Sequence, residues 1–472
     1  MEMKQHHTHY YIFMAIALVA SLHAMSLSAQ VLNGGYFNRH YLHRHDLNPA
    51  FASDSTYVSM PGLGNVNAKT MGNFGYKDVI YDNPLYPEES EKRLTTFMNP
   101  YLDNPLKGFS KGNNKVSGQF HVSLISAGFK GWGGYNTVEV NARAMAYAKI
   151  PYRLIEFAAN TGNQYYDIGD VGVMAQGFAE LAVGHSRQID ERLRLGAKVK
   201  LLLGFAQASV EMNDVSADLM DADQWTVRGD AQAHVSMKGF TYLSETKEYE
   251  GSGAIYHRVN DVDVNGTGIG GVGLAVDLGG VYQVNDNWQV SASLLDLGFI
   301  HWSNDMYAIN KEKSFIFNGF HDLSITKEKV THAKYQMQDY MDQVTDFYNL
   351  RDRGDQGGRV TGIGATLNLA CEYTLPSYRQ LRFGALSSTR LHGKYTWTEA
   401  RVSANYEPLS WLDGNVSLAA NSFTTSIGWM LNFHPKTVNF FIGMDHLLGK
   451  FSKEMIPLSS NASLSLGLSI TM

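Results

Sequence analysis

The sequence predicts an all-β fold: a transmembrane antiparallel β-barrel of about fourteen strands, with an N-terminal lumenal plug segment and one long, partly helical outer loop. Three observations carry this. The first is alternation between Gly266 and Trp302. Val272, Leu274, Val276 and Leu278 share one parity, with Gly273, Ala275, Asp277 and Gly279 between them. After the turn residues Asn285-Asp286-Asn287 the pattern resumes with Trp288, Val290, Ala292 and Leu294 against Gln289, Ser291 and Ser293. Two such runs joined by Asn and Asp form a hairpin. An apolar face backed by small and polar residues suits a wall with lipid outside and water inside. The second observation is an export signal followed by no stretch of the ~18 apolar residues that a spanning helix needs, which leaves a closed barrel as the way across a bilayer. The third is composition. Glycine (45) far outnumbers proline (11), tyrosine (26) and phenylalanine (23) are plentiful, and 18% of residues are charged, as tight turns and aromatic girdles require.

Within the hairpin the alternation breaks at Leu295-Asp296, where a bulge or the edge of a lumenal pocket would produce the break. The net charge of -6, with no long basic run, gives phosphate backbones little to bind, so no nucleic-acid partner is expected.

Taken in order, residues 1–29 read as a signal peptide. Lys4 and several histidines precede an apolar core from Tyr11 to Ala20, and Ser26-Leu27-Ser28-Ala29 offers cleavage after Ala29, although Leu27 is larger than ideal. N-terminal sequencing of the mature protein should begin at Gln30, and recovery of intact Met1 there would overturn this. Residues 30–115 form a second unit with little alternation and Pro-containing breaks at Asn48-Pro49, Pro61-Gly62, Asn83-Pro84, Asn99-Pro100 and Asn104-Pro105. Aromatic anchors such as Phe51, Tyr57, Phe74 and Phe97 point to an ordered plug or lid rather than a free tail.

The barrel proper is expected over 116–472. Its strands are expected near 117–129, 138–150, 171–187, 192–213, 224–239 and the central hairpin. After a loop at 303–359, seven more follow near 361–373, 380–391, 396–406, 412–421, 424–434, 438–447 and 461–472. Within the loop, Val330, Ala333, Tyr335, Met337, Tyr340, Met341, Val344, Phe347 and Tyr348 recur at helical spacing over 326–350, and barrel topology puts so long an insertion outside the cell.

Parity turns a set of charged side chains into the lumen. They are Glu139, Arg143 and Lys149; Glu180; Arg194, Lys198 and Lys200; Asp277; Glu372 and Arg382; Glu399 and Arg401; and Asp445. Both signs occur, which fits either ion pairs bracing wall and plug or a path for solute. With Lys198 turned to water and Val199 to lipid, Val199→Arg is expected to cost far more than Lys198→Ala. Cys371, the single cysteine, shares the lipid-facing parity of Leu367 and Leu369 and reads as a small hydrophobe.

Motifs for chemistry are weak. Gly268-x-Gly270-x-x-Gly273 matches a dinucleotide fingerprint in letters, but a strand follows where a helix is required. The run Arg39-His40-Tyr41-Leu42-His43-Arg44-His45-Asp46 offers three histidines and a carboxylate, with two arginines opposing a cation, so polar contacts to the wall are the expected role. Neither Gly-x-Ser-x-Gly nor His-Glu-x-x-His occurs. The expectation is therefore no enzyme, with no catalytic, cofactor-binding or metal residues and no cofactor.

Several segments carry a resemblance: Leu47-Asn48-Pro49-Ala50-Phe51, Val58-Ser59-Met60-Pro61-Gly62-Leu63-Gly64-Asn65, the run ELAVGHSRQIDERLRLGAKVKLLLGFA from Glu180, GVGLAVDLGGVYQV from Gly271 and LLDLGFIHW from Leu294. In order and spacing the chain resembles an uncharacterised family of Bacteroidota outer-membrane β-barrel proteins with a domain of unknown function, related to FadL-like and PorV-like barrels. The resemblance implies a fourteen-strand barrel in the outer membrane, with an N-terminal segment in the lumen. It also implies one of two activities: passive transport of small or hydrophobic solutes, or a docking barrel for secreted or surface proteins. The implied partners are outer-membrane lipid and either a hydrophobic small molecule or a secreted or surface protein. One departure is the terminal Met472, where many such barrels end in an aromatic residue.

Overall fold

A computed structural model describes residues 32–82, 84, 94–97, 99, 101–159, 164–220, 225–248, 253, 255–310, 315–317, 350–446 and 461–472. The expected signal peptide and the expected helix over 326–350 lie outside the described residues, apart from Leu350.

Among the described residues, fourteen antiparallel wall strands close on themselves. Asn113–Gly131, Gly134–Pro151, Tyr165–Gln188 and Leu193–Asp218 run as successive hairpins. Leu193–Asp218 then pairs with Gly271–Gln283, which forms the central hairpin with Trp288–Trp302. The wall continues through Arg359–Gly362 with Ala365–Thr374, then Leu381–Leu391, Trp397–Leu409, Leu412–Asn421, Thr425–Phe433, Val438–Met444 and Ala462–Thr471. The last strand is joined to the first of these hairpins by Tyr57–Ser59 and Val66–Gly72, which bond to Ala462–Thr471 on one side and Asn113–Gly131 on the other.

That seam corrects the expected division of the chain. Residues 57–59 and 66–72 belong to the wall, not to a plug. The reason is the open edges: the free ladders of the neighbouring strands demand partners. Val66-Asn67-Ala68-Lys69-Thr70 meets them with a short alternation, Asn67 and Lys69 inward, that the Pro61-Gly62 turn detaches from Tyr57–Ser59. The compensating difference lies at Trp225–Met237, counted above as wall. It pairs with the far half of Leu193–Asp218 and with Met306–Asn310, beyond the closed ring. Phe240–Glu248, Ile255–Val264, Phe315–Phe317 and Arg351–Asp355 extend this projection. The strand Leu193–Asp218 has 26 residues, more than twice the ~9–11 needed to cross a bilayer, and at ~3.3 Å per residue is about 80 Å long.

Outward parity is apolar. Val199, Leu201, Val272, Leu274 and Leu278 are exposed on the outer face, whereas Lys198 and Lys200 are buried within. At the short-turn end an aromatic girdle of exposed Tyr282, Trp288, Phe383, Tyr406, Trp411 and Phe433 rings the wall, with Trp288 against Tyr373 and Trp411 against Phe433. Amphipathic rings favour that depth, between hydrocarbon and water.

The break at Leu295-Asp296 is a β-bulge. Val276 faces Leu297 and Leu278 faces Leu294, so two residues oppose Asp277, and Asp296 takes a left-handed φ of 57°. The bulge reverses parity, so Leu297 and Phe299 continue the outer face that Trp288 and Val290 began.

Candidate functional site: the filled lumen

Residues 32–52 run inside the barrel. Two short 3-10 turns, Asn33–Phe37 and Leu42–Asp46, pack Leu32, Tyr36, Phe37, Tyr41, Leu47 and Phe51 into one apolar cluster with inward Val281, Leu386, Met430 and Phe441. Wall glycines admit the segment: a Cβ on Gly279 would overlap the Asn48 side chain, and one on Gly384 would overlap the Phe37 ring. The glycines near the dinucleotide-like motif serve the wall as well. A strand follows them from Gly271, and a Cβ on Gly273 would strike the Phe299 carbonyl.

Around this segment the inward charges form four groups. In the first, Lys198 Nζ donates to Glu139 (2.6 Å) and Asp46 (2.7 Å) and lies 3.2 Å from His45 Nδ1. His45 Nε2 meets the Tyr57 hydroxyl at 2.7 Å. In the second, Asp296 accepts from Arg143 (2.7 and 2.8 Å), Lys200 (2.7 Å) and Arg390 (3.1 Å), while Lys200 also reaches Asp277 (2.7 Å) and Arg143 reaches Glu180 (3.1 Å). In the third, Arg401 bridges Glu399 (2.9 Å) and Asp445 (3.3 Å), with Lys69 3.5 Å from Asp445. Asp445 caps the plug by accepting from the Asn33 and Gly34 amides at 2.9 and 2.7 Å. The fourth group lies at the short-turn end, where Glu372 meets Arg39 (2.8 Å) and Arg382 (3.9 Å).

Most of the residues picked by parity thus meet across the lumen, and two do not. Arg194 is half-buried near the turn, bonded to Ser186 and Gln188, and Lys149 sits half-buried in the ladder beside Lys115. Parity reasoning missed Asp296, because the bulge moves it inward, and Lys69, because its strand was read as coil. Arg390 was within reach, since it shares the parity of Arg382 eight residues earlier. His45 and Asp46 belong to the histidine run expected to contact the wall, but nothing local named Lys198 and Glu139 as their partners.

Little space remains at the centre. The cavity beside Arg143, Lys200, Asp296 and Arg390 holds ≈ 40 Å³, room for about three waters at the ~10–15 Å³ that one needs. A cleft of ≈ 620 Å³ opens at the short-turn end among Arg39, His40, Arg194, Glu407 and His434. Toward the long-loop end the inner wall turns apolar, with Met145, Tyr147, Met174, Phe178, Leu202, Ile300, Trp302 and Tyr395 in one buried cluster.

His43 is the plug's most constrained polar group. It stands among Tyr41, His45, Tyr57 and Phe441 with neither ring nitrogen hydrogen-bonded among the described residues. Burial pushes its imidazole down to about 3, against an opposing pull from Asp46. A group with a depressed cationic pKa binds more protons when released, so its stabilisation holds above the unfolded value of 6.5 and fades as pH falls toward 3. Acidification from about pH 7 to about pH 4 should loosen the plug, raising conductance in planar bilayers, and His43→Phe should blunt that rise. An identical rise in the variant would assign it to other groups.

Residues 49–445 match a family described as "Family of unknown function (DUF5723)". The chain belongs to that family. No curated protein matches it. Among solved structures, the DUF5723 chain is similar to the Pseudomonas putida toluene transporter TodX at 10% identity and a TM-score of 0.38, over 94% of this chain and 95% of that one. It is similar to the Ralstonia pickettii toluene transporter TbuX at 9% identity and 0.35, over 90% and 91%. The translocator domain of the autotransporter NalP from Neisseria meningitidis follows at 8% identity and 0.31, over 89% and 90%.

Proposed function

We propose that this chain is an outer-membrane barrel, its short turns in the periplasm, that passes small hydrophobic solutes passively when its plug moves. The observation that carries the reading is how residues 32–52 are held. Side-chain hydrogen bonds, ion pairs and apolar packing fasten them, and among the described residues no strand ladder joins them to the wall. Such a segment can withdraw while the wall stays intact. A ring of fourteen strands is wider inside than its own side chains fill, so withdrawal leaves a path. The apolar inner wall toward the long-loop end supports a hydrophobic solute over an ion. The motif resemblance to FadL-like barrels agrees with this reading.

Deleting residues 33–52 behind an intact signal tests it. The deletion stops short of the seam strands, because removing 57–72 would open the wall itself. The shortened protein should assemble, conduct more in planar bilayers and admit a hydrophobic fluorescent probe to liposomes faster. Near-zero conductance from a folded deletion protein would overturn the gating role.

One observation favours the second reading, a docking barrel. The projection built on Trp225–Met237, Phe240–Glu248 and Ile255–Val264 presents a sheet beyond the wall, as a cargo platform would. Replacing 240–264 by a short turn should leave probe uptake unchanged if the chain is a transporter; loss of a surface-bound protein from the cells would favour docking. Orientation is testable separately. A cysteine at Thr246 in a Cys371→Ala background should react with an impermeant maleimide on whole cells, and labelling only after the outer membrane is opened would reverse it.

A further inference from the structure

We propose that His40, Asp413 and His434, with Glu407 beside them, form a site for a divalent transition-metal ion of the zinc type that fastens the plug to the wall at the short-turn end. The three residues come from separate parts of the chain. His40 lies between the two 3-10 turns of the plug, and its carbonyl accepts from Asn439 at 3.0 Å. Asp413 begins the strand Leu412–Asn421 opposite Asn432, and His434 follows the end of Thr425–Phe433, its amide donating to the Trp411 carbonyl at 2.7 Å.

Their ligand atoms all lie within 4.8 Å of one another. The two imidazoles stack with centroids 4.2 Å apart and planes 19° from parallel, which sets them side by side; because the nitrogen lone pairs lie in the ring planes, the more exposed His40 ring has to turn for both to reach one ion. His434 Nε2 carries the decisive detail. Its side chain is 9% exposed, and among the described residues this nitrogen makes no well-formed hydrogen bond, standing 3.4 Å from Asp413 Oδ2 outside good bonding geometry. A buried polar atom without a partner is costly, and a metal would supply one. Asn38 donates to the other Asp413 oxygen at 2.8 Å, orienting the carboxylate as outer-shell partners do.

Ligands on a tetrahedral zinc ion sit about 3.3 Å apart, from bonds of about 2.0–2.2 Å, so the widest pair of a cluster spread within 4.8 Å must close by up to about 1.5 Å. His40 can make that adjustment: its side chain is 40% exposed and faces the open cleft, through which an ion would enter. Glu407, 2.9 Å from His40 Nε2, is the carboxylate placed to complete the set once that nitrogen turns to the metal. The opposing charge is modest. Arg382 lies 3.6 Å from the other Glu407 oxygen, and Arg39 is engaged with Glu372. Two imidazoles with carboxylates select zinc-like ions over calcium or magnesium, which take oxygen sets. The second histidine cluster, His43, His45 and Glu139, lacks this opening, because the Lys198 ammonium sits 2.6 Å from Glu139 and 3.2 Å from His45.

The site does not depend on what solute the barrel passes, so the test can be read by itself. Detergent-purified full-length protein, isolated through a tag without histidines and stripped with EDTA, is titrated with Co²⁺ and then Zn²⁺. The expected result is one saturable equivalent, with the intense visible bands of four-coordinate cobalt that zinc abolishes. His40→Gln and His434→Gln should each weaken binding at least tenfold, while His45→Gln leaves it unchanged. His434 is packed into a turn and its variant can misfold, so His40→Gln decides the outcome once heat-modifiable migration shows a folded barrel. No saturable binding by the unaltered protein, equal binding by folded His40→Gln, or a loss that follows His45→Gln would each overturn the proposal.

Discussion

Asp296→Asn should destabilise the barrel by about 3–5 kcal/mol, the range for removing one partner from a buried ion-pair network. Asparagine keeps the shape and tolerates the left-handed backbone at this residue, so the substitution isolates the charge. Three cations converge on the one carboxylate. After its loss Arg143 keeps Glu180 and Lys200 keeps Asp277, but among the described residues Arg390 retains neutral partners alone, the Thr366 hydroxyl, the Ile363 carbonyl and the Met145 sulfur. Reversible urea unfolding in lipid vesicles, followed by tryptophan fluorescence, gives the comparison. A loss below about 1 kcal/mol would show that water enters the network and screens it, as at exposed pairs.

Lys198→Ala is expected to be as damaging, in contrast to the small effect that parity alone predicts. Its ammonium is 2% exposed and neutralises Asp46 of the plug and Glu139 of the wall, so alanine leaves two buried carboxylates facing each other. The cost should again be about 3–5 kcal/mol. Its neighbour Val199 is 57% exposed on the outer face, six residues beyond the start of its strand, so Val199→Arg should cost about 2–4 kcal/mol by placing charge in hydrocarbon. The same unfolding assay separates the two causes. The triple variant Lys198→Met, Asp46→Asn and Glu139→Gln should recover most of the first loss, whereas no lumenal change should rescue Val199→Arg. Failure of the triple variant to recover would show that packing, not unpaired charge, sets the cost.

Much of the fold was legible because a barrel wall writes its geometry into the chain two residues at a time. Val272 to Leu278 and Leu195 to Phe205 reveal strand, face and environment from sequence alone. The same signal could not tell Trp225–Met237, whose alternation serves a sheet beyond the ring, from a wall strand. Nor could it recover Tyr57–Ser59 and Val66–Gly72, which are too short to show a period across the Pro61-Gly62 break. The irregularity at Leu295-Asp296 was visible, yet its meaning depended on Asp277 across the ladder. The inward charges were found strand by strand; their grouping was not, because Asp46, His45 and Asn33 reach them from a segment whose path only tertiary contacts define.

At the seam, Val66–Gly72, part of the first wall strand in the chain, pairs with the last, Ala462–Thr471, so cylinder closure is a contact across almost the whole sequence. Contacts of such separation form late, after the loop entropy of everything between has been overcome. The plug lies immediately upstream of that seam and is fastened to residues as distant as Asp445. Once the ring is shut, a folded segment of this bulk cannot enter from the side; it must already lie within the curling sheet or be drawn through an end. Entry from the side therefore has to precede closure, with Asp46 and Asn33 meeting Lys198 and Asp445 while the sheet is still open, whereas after the final ladder forms the segment moves only through an end.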